Sequence, residues 1–560
     1  MQLVDSTADQ VKGCITLSMV KRVRRDARND IAGAIRHIPK PIAATNGYID
    51  PITMTPYLQA CQRAVAEMLC ARADEFSSLR WLWYLRRLPR ALFEDGYLVT
   101  TFLYDSALAE VLSAHSTNST HDLLVLDGVV TYPITEGTVE RVVRFCYGVK
   151  YLASIHARLR RAGKGAQFFF DGDVLPQTHL TPDHIEAIQL YDKRNAGSGI
   201  PLSRLGTVGS SEMTTTKKGS PGILVLGFTD NPRYGQVPFG RAHAPTRHVT
   251  SYVNFVPRFV SIEGLQQLAH DPRLAGLSWA PVEIGALLLL LSLIYPFVEG
   301  SDHFIHNLCR SGYHIVTIDR LRDIFDTYAG AWVGEVAKIM PDLTFPTSAD
   351  DLVATLSRFK GTWWPLRQGN PIRHAPHADA ICLDFYAASV YLDTMLEYPK
   401  VTGDVANARA DHFEGAVQEM IKDSPWQPPE DIARLRRRTL RIGGRDRTDL
   451  DAVGTRQNTL LIVSCKSTIR SGLYDTGDYT AVRNAASLVT NEVAYMAGIK
   501  QTLLATPVGD NYDLSRYHDI LAIVCTPNVV YVPTGDATAE PTPGLYAACS
   551  CDELRTWLAR

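Results

Sequence analysis

The chain has 560 residues, a length that exceeds a single hydrophobic core and predicts about two to four domains. Its 46% hydrophobic and 21% charged residues are typical of a globular protein, and its net charge of −2 excludes a uniformly basic surface for nucleic acid. Ten cysteines without paired C-x-x-C spacing exclude the common zinc patterns and predict free thiols in a reducing, cytoplasmic compartment.

The first region, residues 1–195, is predicted to be mainly helical, because apolar residues recur at helical spacing over 18–37 and 57–93. The second of these ranges ends in a mixture of arginine and aromatic residues: Arg80, Trp81, Trp83, Tyr84, Arg86, Arg87 and Arg90. Such a mixture is able to stack on bases and bind phosphates. We prefer the interpretation of an amphipathic core helix with arginines along its rim.

The second region, residues 196–404, begins with a Gly-, Ser- and Thr-rich segment that predicts a long loop or hairpin, and it continues with helical spacing over 281–400. The most apolar run, 286–298, is shorter than the roughly 20 residues of a membrane span and contains Pro296. We therefore predict a buried helix and no membrane partner. Apolar spacing over 378–397 predicts a further helix packed on its neighbour.

The third region, residues 405–560, has a clear order of elements. The spacing of apolar residues predicts a helix, three strands, a second helix and a fourth strand, over 412–421, 439–444, 448–456, 459–466, 479–503 and 519–525. We expect the first three strands to meet as a meander. The region is therefore predicted to be an α/β domain with an αβββαβ core and a mixed sheet.

Charged residues gather at one edge of this predicted sheet. Residues two apart in a strand share a face, so Asp449 points the same way as Asp451, and Ser464 points the same way as Lys466. Antiparallel pairing brings Asp451 beside the end of the 459–466 strand, and Glu414 reaches in from the preceding helix. Clustered carboxylates with a lysine are what metal-assisted phosphodiester hydrolysis requires, and carboxylate oxygens suit Mg²⁺.

This order of elements and charges resembles the PD-(D/E)XK, or restriction-endonuclease-like, nuclease superfamily, over the third region alone. Many members carry a helix Glu, then an Ile-Asp or Leu-Asp strand, then a strand that ends in Glu-Cys-Lys-Ser or a close variant. The resemblance implies that Glu414 in "FEGAV", Asp451 in "DLDAVGT" and Lys466 in "LLIVSCKS" are catalytic. It also implies Mg²⁺ or Mn²⁺ as the cofactor.

Ser464 departs from the superfamily pattern, which usually has Glu, Asp or Gln two residues before the lysine. Either the site is inactive or another acid substitutes, as in restriction enzymes of the superfamily that carry Ser-x-Lys and take a carboxylate from the following helix. We predict that Glu492 substitutes. The expected catalytic set then includes Ser464 and Glu492, and the expected metal ligands are Asp451, Glu414 and Glu492.

Glu492 is preferred because a loop and a helix N-cap already explain the other candidates, Asp475 and Asp478. On a helix, Glu492 shares a face with three apolar residues that should pack on the sheet: Leu488, Val489 and Met496. A carboxylate on that face costs free energy unless it is paired or binds metal. The alternatives are that Glu492 forms a salt bridge with a buried arginine or that it lies at the edge of this apolar face.

A basic run, residues 434–447, precedes the predicted site and contains seven arginines against the single Asp446. We predict that five of them contact the phosphates of a nucleic acid: Arg436, Arg437, Arg438, Arg445 and Arg447. The alternative is a solvated connection between a helix and a strand.

These features predict a metal-dependent endonuclease that hydrolyses phosphodiester bonds, with DNA favoured over RNA as the nucleic-acid partner. By analogy alone, a nuclease attached to a helical region suits a bacterial defence or restriction system. The alternatives are a degenerate nuclease fold that binds nucleic acid without cutting, and an assembly module in which these charges are a solvated face. Residues 1–404 could bind a ligand, nucleic acid, a partner protein or a second copy of the chain.

Overall fold

The structure is a computed structural model, a mixture of helices and sheets. It describes residues 6–44, 47–88, 99–119, 124–126, 129–195, 222–228, 234–239, 247–252, 255–261, 264–266, 280–294, 296–297, 308, 310–362, 369–374, 380–397, 404–467 and 478–560. Most of the Gly- and Ser-rich segment lies outside these ranges, as do Arg90 and Asp475. In the described ranges no helix is both long enough and apolar enough to cross a membrane.

The N-terminal region is built mainly from helices, and in its main hydrophobic cluster α6 packs on α2 and α3. The helices are α1 (Ser6–Gly13), α2 (Leu17–Ile35), α3 (Pro51–Ala73), α4 (Ser78–Leu85), α5 (Val99–Ala114), α6 (Glu136–Gly163) and α7 (Pro182–Asn195). Two short antiparallel pairs accompany them: β1 (Leu124–Leu126) with β2 (Val129–Thr131), and β3 (Gln167–Phe169) with β4 (Gln177–His179).

The aromatic residues of α4 belong to this cluster, since Trp81, Trp83 and Tyr84 are at most 1% exposed. The core interpretation of this helix is therefore confirmed, but the expected position at the rim is wrong for Arg80 and Arg86. Arg80 is 9% exposed and Arg86, just after α4, is 6% exposed. The Arg86 guanidinium is balanced by Glu110 of α5 and by Asp384, which lies 3.3 Å away. Buried charges need such partners, and these two arginines are not available to bind phosphates.

The middle region combines helices with antiparallel strands. Its strands are β5 (Gly222–Phe228), β6 (Tyr234–Phe239), β7 (Arg247–Tyr252), β8 (Phe255–Ser261), β9 (Tyr313–Thr317), β10 (Ile372–His374) and β11 (Ala380–Asp384). Its helices are α8 (Pro281–Ser292), α9 (Ile318–Ile339), α10 (Ala349–Ser357) and α11 (Phe385–Glu397). The strand β5 pairs with β8, β6 pairs with β7, and β11 lies between β10 and β9.

Two predictions for the middle region have different outcomes. The helix α8 is buried from Ile284 to Ser292, which confirms a buried helix for most of the apolar run. The single helix expected over 378–397 is wrong, because 380–384 form the central strand β11 and the helix begins at Phe385. A short apolar run buried on both faces suits a central strand as well as a helix, and here pairing with two neighbours decides the outcome.

The C-terminal region is an α/β arrangement whose sheet lies between two layers of helices. Its helices are α12 (Asp404–Lys422), α13 (Glu430–Ala433), α14 (Tyr479–Ala505) and α15 (Cys551–Leu558). Its strands are β12 (Thr439–Ile442), β13 (Arg445–Asp449), β14 (Ala452–Arg456), β15 (Thr459–Cys465), β16 (Asp519–Thr526) and β17 (Ala548–Ser550). The order β14-β15-β16-β17 makes a mixed four-stranded sheet, as predicted, because β14 is antiparallel to β15 and the other two pairs are parallel.

The expected meander is wrong in one respect. The range 448–456 is not one strand, because β13 ends at Asp449 and β14 begins at Ala452. The strand β13 pairs only with β12, as a separate two-stranded sheet within the described ranges. The Arg437 N–H binds the Leu450 carbonyl oxygen at 2.8 Å, where a continuous strand would pair. Asp451 therefore lies in a bend between two strands, and it does not share a strand face with Asp449.

The helix α12 covers the edge strand β14 closely. Gln418 is 1% exposed, and its side-chain amide accepts a hydrogen bond of 2.8 Å from the Val453 N–H and donates one of 3.0 Å to the Val453 carbonyl. A Cβ atom on Gly454 would lie 2.7 Å from Ile421 Cγ2 and 2.9 Å from the Trp426 carbonyl oxygen. The hydrogen bonds satisfy the backbone groups of Val453 on the outer edge of β14. Together with the close packing at Gly454, they hold α12, which carries Glu414, against the sheet.

Gly454→Ala is expected to destabilise the protein by about 1–3 kcal/mol, since overpacking forces backbone and side chains apart. Gly498→Ala is the matched control, because a Cβ atom there, on the exposed side of α14, meets nothing within 4 Å. It should be neutral or stabilise by up to about 1 kcal/mol through helix propensity. Urea unfolding of both variants measures the difference, and equal midpoints would contradict the close packing of α12 on β14.

Candidate active site

The candidate site lies at the end of β15, where α12 and α14 flank the sheet. Ala452 pairs with Val463 in the antiparallel ladder, so Asp451 and Ser464 come next in register. The Cys465 N–H donates a hydrogen bond of 2.7 Å to Asp451 Oδ2. This bond holds the Asp451 carboxylate against the end of the strand, as the expected strand pairing requires.

Ser464 connects two carboxylates at this edge. Its hydroxyl donates to Glu492 Oε1 over 2.7 Å and lies 3.5 Å from Asp451 Oδ2. Lys466 Nζ lies 3.2 Å from the same Glu492 oxygen, with 31% of the Lys466 side chain and 19% of the Glu492 side chain exposed. Four of the predicted catalytic residues are therefore in one connected group of contacts that solvent reaches.

Glu414 reaches the same edge from α12 and lies beside an arginine. Arg437 Nη2 is 3.6 Å from Glu414 Oε2 and donates to Asp411 Oδ1 over 3.0 Å. Arg437 has a φ angle of 59°, a backbone conformation that residues other than glycine rarely adopt. The chain thus takes an unfavourable conformation at the position whose side chain lies next to Glu414.

Burial raises the pKa of both Asp451 and Glu414. The Cys465 N–H and the Lys466 charge lower the pKa of Asp451, and the Glu492 charge raises it. For Glu414, the charge of Asp451 is the next cause after burial that raises the pKa, and Arg437 opposes it. Carboxylates that resist ionisation because of burial and of a neighbouring carboxylate are stabilised in the ionised form by a cation.

The donor atoms at this edge suit a hard divalent ion. Asp451, Glu414 and Glu492 offer carboxylate oxygens, which Mg²⁺ and Mn²⁺ prefer. Among the described residues, no group of three or more His, Cys, Asp or Glu side chains lies close enough together to hold a metal ion. Mg²⁺ commonly takes one or two carboxylates together with waters and substrate phosphates, and this donor set fits that mode of binding.

The five arginines predicted to contact phosphates divide into two groups. Arg436 Nε donates to the Asp451 carbonyl over 3.0 Å, and Arg437 contacts Asp411 and Glu414, so these two arginines support the site's own backbone and carboxylates. Three others are exposed and make no side-chain hydrogen bond or ion pair in the described part of the chain: Arg438, Arg445 and Arg447. Phosphate binding by all five stays a prediction, and the last three have the accessible guanidinium groups.

The helix α14 presents Glu492 differently from the expected arrangement. Val489 and Met496 are 1% and 4% exposed, but Leu488 is 44% exposed and does not pack on the sheet. Glu492 therefore lies at the edge of the buried stripe, and its ion-pair partner is Lys466 rather than a buried arginine.

Two contacts at the site were not predicted from the sequence. One is the hydrogen bond from Arg436 to the Asp451 backbone, and the other is the contact of Tyr495 with Arg447. The Tyr495 hydroxyl donates to the Arg447 carbonyl over 2.9 Å. Helical spacing places Tyr495 beside Glu492, but its contact with β13 depends on which elements meet in three dimensions.

Comparison with known proteins found no match to any protein-family model, curated protein or solved structure. The chemistry of the site therefore has to be argued from its own residues. The superfamily resemblance stays a hypothesis carried by Glu414, Asp451 and Lys466.

Asp451→Asn is expected to stabilise the protein at neutral and higher pH. A raised carboxylate pKa means that the folded state binds the proton more tightly than the unfolded chain, so stability falls as the pH rises from the unfolded pKa through the folded pKa. Asparagine removes the ionisation and keeps an oxygen that accepts the Cys465 N–H. The gain in unfolding free energy should be largest above that range and shrink toward about pH 4.

Urea unfolding at a series of pH values measures this gain. Asp449→Asn changes an exposed carboxylate two residues away and should leave stability unchanged. An Asp451→Asn protein that is less stable than the wild type across the whole pH range would contradict a buried, charge-strained carboxylate.

Proposed function

We propose that the chain is a metal-dependent nuclease whose C-terminal region hydrolyses phosphodiester bonds. The observation that carries this proposal is the hydrogen bond of 2.7 Å that the Ser464 hydroxyl donates to Glu492. The end of β15 lacks the acid that a site of this class needs. A carboxylate from the following helix, bound to the serine that stands in the acid's position, supports relocation of that acid rather than its loss.

Each residue has a role in this proposal. Asp451, Glu492 and Glu414 would hold Mg²⁺ or Mn²⁺ either directly or through bound waters, and the ion would offset negative charge on the phosphate. Lys466 is able to donate to a phosphate oxygen or to orient the attacking water. The Ser464 hydroxyl orients the Glu492 carboxylate toward Asp451, and Ser464 itself supplies no charge.

DNA is the substrate that the superfamily resemblance favours over RNA. The exposed Arg438, Arg445 and Arg447 suit contacts with the phosphates of either nucleic acid. By analogy alone, a bacterial defence or restriction system is the setting for such an enzyme. Residues 1–404 would then bind a ligand, a partner protein or a second copy of the chain.

A second candidate function is nucleic-acid binding without hydrolysis. The ion pair between Lys466 and Glu492 favours it, because a lysine that neutralises this carboxylate competes with metal binding. The neutral Ser464 in the position of an acid favours the same candidate.

Asp451→Ala, Lys466→Ala and Glu492→Gln are each expected to slow cleavage of supercoiled plasmid in Mg²⁺ by at least about 100-fold. Alanine removes a metal ligand or the cation, and glutamine keeps the shape of Glu492 while removing its charge. Initial nicking rates on agarose gels measure the loss. Binding of a labelled oligonucleotide in EDTA should change little, because the three side chains act mainly on the reacting phosphate.

Glu419→Gln is the matched control, because Glu419 is an exposed carboxylate on α12 that pairs with Lys422, and it should cut at the wild-type rate. Cleavage by the wild type that persists in EDTA would contradict the metal requirement. A wild type that binds DNA but does not cut it in Mg²⁺ or Mn²⁺ would favour the second candidate. A Glu492→Gln protein with normal activity would make Asp449 or Asp478 the next candidate for the acid.

A further inference from the structure

Two exposed apolar side chains lie on either side of Glu492 on α14. Leu488 is four residues before it and Tyr495 three residues after it, so all three share one edge of the helix. Leu488 is 44% exposed and Tyr495 is 46% exposed. Single apolar residues are common on protein surfaces, but here two of them flank the carboxylate that contacts Lys466. We name Leu488 and Tyr495 the apolar edge of α14.

The Tyr495 ring is held in place rather than left to rotate in solvent. Its hydroxyl donates a hydrogen bond of 2.9 Å to the Arg447 carbonyl on β13. The side chain therefore bridges α14 and the β12–β13 hairpin, with part of its ring open to solvent. A fixed and partly exposed ring is a suitable platform for stacking a planar ligand, because little conformational freedom is lost on binding.

The hairpin beside this ring is rigid. The Asp510 carboxylate accepts hydrogen bonds from the N–H groups of Gly443 and Gly444, at 3.2 and 2.6 Å, in the turn between β12 and β13. The Asn511 side chain donates to the Thr439 carbonyl over 2.8 Å. The turn requires glycine, since Gly443 and Gly444 have φ angles of 56° and 75°.

The rigid hairpin carries positive charge that no partner in the described ranges neutralises by a side-chain contact. Arg445 and Arg447 flank Asp446 on β13, and the pairing with β12 shifts register at Arg447. Both are exposed. Asp446 pairs with Arg441 rather than with either of them. An exposed aromatic ring beside a strand with accessible arginines is complementary to a chain of bases and phosphates.

We propose that the apolar edge of α14 and the exposed arginines of β13 form a binding surface for single-stranded nucleic acid, in which a base stacks on Tyr495 and phosphates contact Arg445 and Arg447. A single strand is favoured over a duplex because a base can stack on a protein ring only after it has left its own stack. The inference rests on the proposed function for its link to the phosphate chemistry at Asp451 and Lys466. It makes a strand with unpaired nucleotides beside the cut the preferred substrate.

The test measures binding of the full chain to a fluorescein-labelled 20-nucleotide strand and to the duplex of the same sequence, by fluorescence anisotropy in EDTA. Tyr495→Ala should weaken single-strand binding by about 5- to 100-fold and duplex binding much less, as loss of one stacked base predicts. Tyr495→Phe is the matched control. It keeps the ring, loses the hydroxyl bond to Arg447, and should bind within about 3-fold of the wild type.

A second arm replaces Arg445 and Arg447 with alanine. The slope of log affinity against log salt concentration for the single strand should fall by about 0.7 for each lost phosphate contact. Arg434→Ala is the control within the same basic run, because Arg434 pairs with Glu430. It should leave the slope unchanged.

Unchanged single-strand binding by Tyr495→Ala would overturn the inference, as would an equal loss for strand and duplex. A Tyr495→Ala protein that binds single strands normally but has a changed sedimentation coefficient would also overturn the inference. That result would mean that the apolar edge forms a contact between copies of the chain. Failure of the proposed function is distinguishable. A wild type that does not cut in Mg²⁺ but binds single strands through Tyr495 would refute the nuclease and support this surface.

Discussion

The burial of β15 on both faces is the constraint on which the C-terminal region depends. Leu460 and Ile462 pack into the cluster with α14, and Leu461 and Val463 pack into the cluster with α12. The strand also pairs along both edges, with β14 and β16. A strand enclosed in this way can present polar groups to solvent only where it ends. Ser464 and Lys466 stand at that end, next to the bend at Asp451.

The same burial makes the site costly for the fold. Burial raises the pKa of both Asp451 and Glu414, and a neighbouring carboxylate raises each pKa further: Glu492 for Asp451, and Asp451 for Glu414. The protein offsets part of this cost with the Cys465 N–H, the Lys466 charge and the hydrogen bond from Arg436 to the Asp451 backbone. Groups held in charge conflict are typical of sites that act on a ligand rather than of sites that stabilise a fold.

Sequence periodicity predicted the elements that have a long or uninterrupted run of apolar residues on one face. The helix over 479–503 and the buried strands over 459–466 and 519–525 agree with the structure to within a few residues, because each has a continuous apolar face. The break between β13 and β14 was missed because no glycine or proline marks it. A long-range bond from the Arg437 N–H to the Leu450 carbonyl accompanies the break, and local pattern does not encode such a contact.

Part of the site could also be predicted from patterns within single elements. Strand register brings Asp451 to Ser464, and helical spacing identified Glu492 as a carboxylate in need of a partner. The roles of Arg436 and Tyr495 depend on which elements meet in three dimensions, and neither follows from spacing within one element. Leu488 was expected to pack on the sheet because helical spacing assigns it to the apolar face of α14. How much of that face is buried depends on how much of the helix the sheet covers, and spacing within the helix does not show this.

The proposed nuclease site requires Glu492 to supply the acid that Ser464 does not. A crystal structure of the protein with Mn²⁺, in which anomalous scattering locates the ion, would show whether Glu492 does so. We expect an ion beside Asp451 with Glu492 bound to it directly or through one water, and with Lys466 released from its 3.2 Å ion pair with Glu492. An ion held elsewhere, with Glu492 still paired to Lys466 and remote from the metal, would contradict this role of Glu492.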